Sequence, residues 1–178
     1  MAAALTLALA AAAHAELRIS DLEVFLNDFE VTVHVVLLGT LPEAVHEGVR
    51  SGLPAHVKFT IDLWQFRRYW PDQILVTKVV ERSLAYNVVT KEFKVSSLRG
   101  EQRPVFATRD LRDAQRVLSE IRGLKLTPAT ALDPAAVIYV RVRAESALNG
   151  ENTFVARMAG TAEQTDRQSA YRTIQRVQ

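Results

Sequence analysis

Residues 55–87 read AHVKFTIDLWQFRRYWPDQILVTKVVERSLAYN, and the phase of this stretch decides the fold. Val57, Phe59, Ile61 and Leu63 alternate with Lys58, Thr60, Asp62 and Trp64. A period of two sends successive side chains to opposite faces of a strand, so one face meets a core and the other meets water. Trp70-Pro71-Asp72 interrupts the run, because proline lacks the N–H that a ladder needs and restricts the residue before it. From Ile74 to Tyr86 the strand pattern resumes. The stretch therefore predicts a strand, a corner and a second strand. It holds both tryptophans and two of the four tyrosines, so the largest anchors of a core are expected here.

Working outward, Leu17 to Leu26 predicts a first strand with an irregularity near Asp21, and Asn27-Asp28 a tight turn. Phe29, Val31, Val33, Val35 and Leu37 alternate with Glu30, Thr32 and His34, which predicts the other arm of a hairpin. Thr40-Leu41-Pro42-Glu43 reads as a helix start with Thr40 capping and Glu43 reaching back. Gly52 and Pro54 end that helix. Asn87 to Thr90 connects a second hairpin to Phe93 and Val95, and Pro104 to Thr108 predicts a short edge strand. Asp110 to Arg122 predicts an amphipathic helix with Leu111, Ala114, Val117, Leu118 and Ile121 in one stripe, stopped by Gly123. Leu124 to Thr127 is a short segment bounded by Pro128, and Val137 to Ala147 is a further strand. The polar segment 161–178 is expected to be a marginal helix or a frayed tail.

Strands joined by short turns and two helices suit an antiparallel β-sandwich better than alternating βαβ units. The expected fold is mainly β, with one short and one longer amphipathic helix. At 178 residues, 48% hydrophobic and 24% charged, the chain has the composition of one globular domain. Its 22 basic and 20 acidic side chains are mixed along the sequence, which argues against a dedicated nucleic-acid surface. It has no cysteine, so disulfides, thiol catalysis and thiolate metal sites are excluded. Met1 to Ala15 reads MAAALTLALAAAAHA. The run is apolar, too short and too alanine-rich for a membrane anchor, and ends in the small-x-small form of a signal-peptidase site at Ala13-His14-Ala15. No Lys or Arg precedes the run, unlike most signals. The expected organisation is a signal peptide over 1–15, a β-sandwich domain over 16–160 and a polar tail over 161–178, with export to the periplasm.

Ser51-Gly52-Leu53-Pro54, the run Trp64-Gln65-Phe66-Arg67-Arg68-Tyr69-Trp70-Pro71-Asp72, and Leu84-Ala85-Tyr86-Asn87 through Thr90, Phe93 and Val95 carry a resemblance. Together they resemble an uncharacterised family of exported bacterial proteins, domain of unknown function 4390. Where the family often has two adjacent tryptophans at the corner, this chain has Tyr69 before Trp70. The resemblance implies no activity and no catalytic residue. Genes of the family often lie beside a nitrogen-type sensor kinase and response regulator, which implies a link to envelope signalling.

Trp64, Arg67, Arg68, Tyr69 and Trp70 are the candidate binding residues. Aromatic rings interleaved with arginines can stack on a sugar or grip an acidic group on lipid or protein. They can equally pack alternate rings inward while the arginine stems cover the outer face. Glu43, His46 and Glu47, with His56, contain metal-ligand types, but a solvated helix face explains them without a metal. Asp62 and Asp72 form a conceivable carboxylate pair that outward strand and turn positions also explain. No Gly-x-Ser-x-Gly, dinucleotide or Walker pattern is present, and no cofactor is implied. The function expected is therefore a non-enzymatic binding module of the cell envelope with a protein partner, for which a sensor-kinase ectodomain is one option. The alternative is a carrier or sensor of a small amphipathic ligand held between sheet and helix.

Overall fold

The computed structural model describes residues 16–26, 29–148 and 162–173. Its strands are β1 (Arg18–Leu26), β2 (Glu30–Leu38), β3 (Ala55–Gln65), β4 (Gln73–Asn87), β5 (Glu92–Arg99), β6 (Phe106–Thr108), β7 (Glu120–Pro128), β8 (Val137–Leu148), β9 (Ala162–Gln168) and β10 (Arg172–Thr173). Helix α1 spans Glu43–Arg50 and α2 spans Leu111–Ser119. The fold is mainly β, as the alternation predicts. One antiparallel sheet has the order β1-β2-β7; in the other, β3 lies between β4 and β8, β5 and β6 follow β4, and both β9 and β10 pair with β8.

The inward phase of β3 is the predicted one. Val57, Phe59, Ile61 and Leu63 are completely buried, opposite Val31, Val33, Val35 and Leu37 of β2 and beside Val140, Val142 and Ala144 of β8. Each fully buried side chain of this size contributes about 1.5–3 kcal/mol. α2 packs against β4, β5 and β6 on one side and β2 and β7 on the other, so Ala114 and Leu118 close the gap between the sheets. The Arg82 guanidinium fills the space under the end of α2 beside them.

The local chemistry explains most boundaries. α1 ends in a Schellman arrangement: Gly52 takes φ +99°, its N–H donates to Val49 O and the Leu53 N–H to Gly48 O. Only glycine adopts that backbone without strain. The β4–β5 hairpin has the expected four-residue connection after Asn87, whose Oδ1 accepts the Val89 and Thr90 N–H groups. The β1–β2 register shifts between Ile19 and Asp21, where the irregularity is predicted. The Asn27-Asp28 turn lies outside the described residues, as does the apolar segment 1–15.

Four expectations are corrected. Thr40 does not cap α1; Pro42 holds the cap position, and its carbonyl accepts the Val45 and His46 N–H groups. α2 stops at Ser119 rather than Arg122, because Glu120 enters β7. Gly123, at φ +60°, is the glycine of a bulge where Ile121 and Leu124 pair with Val35 and Val33. The predicted helical stripe runs on from Leu118 of α2 into Ile121 of β7, both buried, so periodicity alone does not separate helix from strand. The polar segment after 161 is, over Ala162–Gln168, a strand on β8, held by backbone pairing and the Arg141–Asp166 ion pair. Finally, Tyr69 and Trp70 are not core anchors: they are 82% and 75% exposed.

Candidate binding surface at one end of the sandwich

β3 runs away from α1 and ends at Gln65, where the loop 66–72 turns the chain into β4. This loop is fixed at both ends. The Phe66 N–H donates to Val137 O at 2.8 Å, and the Arg67 N–H donates to Asp72 Oδ1 at 3.0 Å. The other Asp72 oxygen accepts the Tyr139 hydroxyl at 2.8 Å. Asp72 is thus a clamp between loop and sheet, not half of a carboxylate pair; Asp62 lies on β3 and accepts from Thr77 Oγ1 at 2.6 Å. Burial first, and then the hydrogen bond to Asp72, push the Tyr139 phenol up to about 12.

Aromatic contacts support the loop from below. Trp64 lies parallel to Tyr139, with ring centroids 6.1 Å apart, and Tyr171 meets both Tyr139 and Phe66 edge-on at 5.2 and 5.4 Å. Such pairs add about 0.5–1.5 kcal/mol each beyond the area they bury. Trp64 is half-buried in this stack, and its Nε1 has no partner among the described residues. The structure therefore divides the predicted set. Trp64 is a prop; Arg67, Arg68, Tyr69 and Trp70 stand together, exposed, on the loop. The Arg68 guanidinium sits 5.5 Å from the Tyr69 ring centroid, and Arg67 donates from its guanidinium to Gln73 Oε1.

Distant segments join this end. β2 runs towards α1, so its start lies at the loop end. There the Ala129 N–H donates to Phe29 O, and the β7–β8 connection leads on to Val137. β10 arrives at the same place through the pairing of Arg172 with Ile138. Among the described residues the exposed aromatic side chains are Phe25, Phe29, Phe66, Tyr69, Trp70 and Tyr171, and all of them belong to this end. The opposite end, at α1 and the β4–β5 turn, exposes the aliphatic residues Leu53, Val88 and Val89 instead. The local sequence locates the loop but not Tyr171, which β10 brings against Phe66, nor Phe25 and Phe29, which lie at the same end on the smaller sheet.

Elsewhere the predicted groupings dissolve. Glu43, His46, Glu47 and His56 do not assemble into a metal-binding group among the described residues. Burial lowers the His56 pKa, partly offset by Glu81. One buried ion was not anticipated. Arg82, in the inward phase of β4 between Val80 and Leu84, donates to both Glu101 oxygens at 2.7–3.1 Å and to the Val117 and Glu120 carbonyls at 2.6 and 2.7 Å. A charged residue in an inward phase was the signal for it. Its role is to tie the end of α2 to the larger sheet, since every guanidinium nitrogen has a partner.

No curated protein and no solved structure matches the chain significantly. A family model does match, over residues 14–150. These residues take in the corner loop, its supporting rings Trp64 and Tyr139, and Arg82. The chain belongs to the family described as domain of unknown function (DUF4390).

Proposed function

We propose that this chain is an exported, non-enzymatic binding module of the bacterial cell envelope, and that the aromatic–arginine end is its contact surface for a protein partner with acidic groups. The observation that carries the reading is Trp70 beside Tyr69, both directed into solvent from a loop that Asp72 holds in place. Large rings left in water on a rigid support lose little conformational entropy on binding, and each buries about 150–250 Å² when covered. Trp, Tyr and Arg are also the residue types in which binding energy concentrates. Arg67 and Arg68 have no carboxylate partner among the described residues, so acidic groups on the partner match them. Residence in the periplasm rests on the apolar segment ending Ala13-His14-Ala15. The gene neighbourhood typical of the family makes a sensor-kinase ectodomain the first partner to test.

The test compares wild-type mature chain with Arg67→Ser/Arg68→Ser and Trp70→Ala in affinity capture from envelope extract. The reading expects a captured protein that both variants lose, with melting temperatures within about 2 °C of wild type because these side chains are exposed. Added salt should weaken wild-type capture. Retained capture by both variants would refute this surface. Mass spectrometry of the native protein should find its N-terminus near Glu16; an intact Met1 would refute export.

A further inference from the structure

We propose that the cleft between α1 and the start of α2 binds a phosphate group, and that its ligand is an organic phosphate. The cleft has a volume of about 640 Å³, and its cationic lining is Arg50, Arg109 and Arg112, joined by His46 and Gln115. This is a surface separate from the aromatic end. The fold creates it, because Arg50 comes from the last turn of α1, Arg109 precedes α2 and Arg112 lies in its first turn. The evenly mixed charge along the chain gives no hint of it.

The charge balance separates this cleft from its neighbours. On α2, Arg116 pairs with Asp113 at 3.0 Å, and at the start of β7 Arg122 pairs with Glu120 at 2.6 Å, holding that carboxyl below its ordinary pKa range. Arg50, Arg109 and Arg112 have no such partner among the described residues. The carboxylate lining the cleft, Asp110, already accepts the Arg112 backbone N–H at 2.7 Å. Three guanidiniums against one carboxylate leave the lining with an excess of positive charge, and an anion among them relieves the repulsion. His46 also lines the cleft.

Several guanidiniums around one cleft suit phosphate, whose oxygens take paired N–H donors from each planar fork. The volume lies within the range of small-molecule sites and exceeds what a lone phosphate fills. Leu111 and Phe93 supply an apolar part of the lining against which an organic body can rest. A phosphate ester, free or at a lipid headgroup, has this combination.

The experiment is calorimetric titration of the mature chain at low salt with inorganic phosphate, glycerol phosphate and, separately, phosphatidylglycerol vesicles against phosphatidylcholine vesicles. The proposal expects glycerol phosphate to bind more tightly than inorganic phosphate if the ligand is free, or selective binding of the anionic vesicles if the phosphate is a headgroup. In either case Arg109→Gln/Arg112→Gln should weaken binding about tenfold or more. Arg112→Lys should weaken it too, because a point charge replaces a fork. Arg116→Gln, whose guanidinium is engaged with Asp113, should change it by less than about twofold. All these side chains are exposed, so melting curves should match wild type. Arg67→Ser/Arg68→Ser should bind the probes normally, which keeps this result independent of the protein-partner reading. Failure of every probe to bind, or binding that Arg109→Gln/Arg112→Gln leaves intact, would overturn the proposal.

Discussion

Arg82→Met offers a sharp test of how the two sheets and α2 are joined. The guanidinium is 1% exposed and spends its donors on the Glu101 carboxylate and the carbonyls of Val117 and Glu120. Methionine nearly matches its stem, so packing is largely kept and the loss is polar. It leaves a carboxylate that is only 18% exposed and two helix-end carbonyls without donors. Removing one partner of a buried ion pair costs about 3–5 kcal/mol. With a urea slope of about 2 kcal/mol per M, the unfolding midpoint should fall by about 1.5–2.5 M. Arg82→Met/Glu101→Met removes the stranded carboxylate as well and should recover about 1–2 kcal/mol of the loss, because a pair replaced by apolar groups is far less costly than a pair broken. The two carbonyls still lack donors, so recovery stays incomplete. Urea titrations followed by circular dichroism give all the values, including Glu101→Met for the coupling energy. A loss below about 1 kcal/mol for Arg82→Met would mean that water reaches the guanidinium and that α2 does not close over β4 as described.

Phe59→Ala should lose about 3–5 kcal/mol in the same assay, since the ring is completely buried in the central strand. A small loss would reverse the inward and outward faces of β3. Gly100→Ala should lose about 2–4 kcal/mol, because Gly100 holds φ +84° and a Cβ there would collide with the Val79 carbonyl. The loop it shapes delivers Glu101 to Arg82, so the same variant should also blunt the effect of Arg82→Met. Tyr139 is held protonated up to about 12, above the ordinary 10.0. Its pKa is raised on folding, so its stabilising share is intact below about pH 10 and declines as pH rises towards 12. Wild type should therefore lose stability across that interval more steeply than Tyr139→Phe; identical profiles would refute the Asp72 clamp.

The sequence is most legible where a strand has one buried face. β2 and β3 alternate cleanly because the core selects every second residue, and β8 does so over Val140 to Ala144, so the core lies where the pattern puts it. β9 is illegible for the opposite reason. Glu163, Gln164, Thr165, Asp166, Arg167 and Gln168 pair with β8 through the backbone, which leaves no apolar phase, and Arg167 closes the arrangement by donating to the Ile19 and Ser20 carbonyls. Gly123 is ambiguous in principle, since a left-handed glycine ends a helix or bulges a strand equally well. At the candidate surface, local sequence locates Arg67 to Trp70 but mistakes two rings for core. Aromatic residues signal a large apolar area without saying whether a fold or a partner covers it. The meeting of Tyr171 with Phe66 of that loop, and the placing of Phe25 and Phe29 at the same end, are set by long-range topology. So is the meeting of Arg50 with Arg109 and Arg112.

The most direct measurement places a photo-crosslinking amino acid at Tyr69, at the aromatic end, and separately at Val89, at the opposite end, in cells that make the protein. Both side chains are more than four-fifths exposed, 82% and 88%, so reactivity does not favour either. The account predicts a discrete protein adduct from position 69, abolished by Arg67→Ser/Arg68→Ser, and none from position 89. An adduct at 89 alone, or at both positions and insensitive to the arginines, would contradict it.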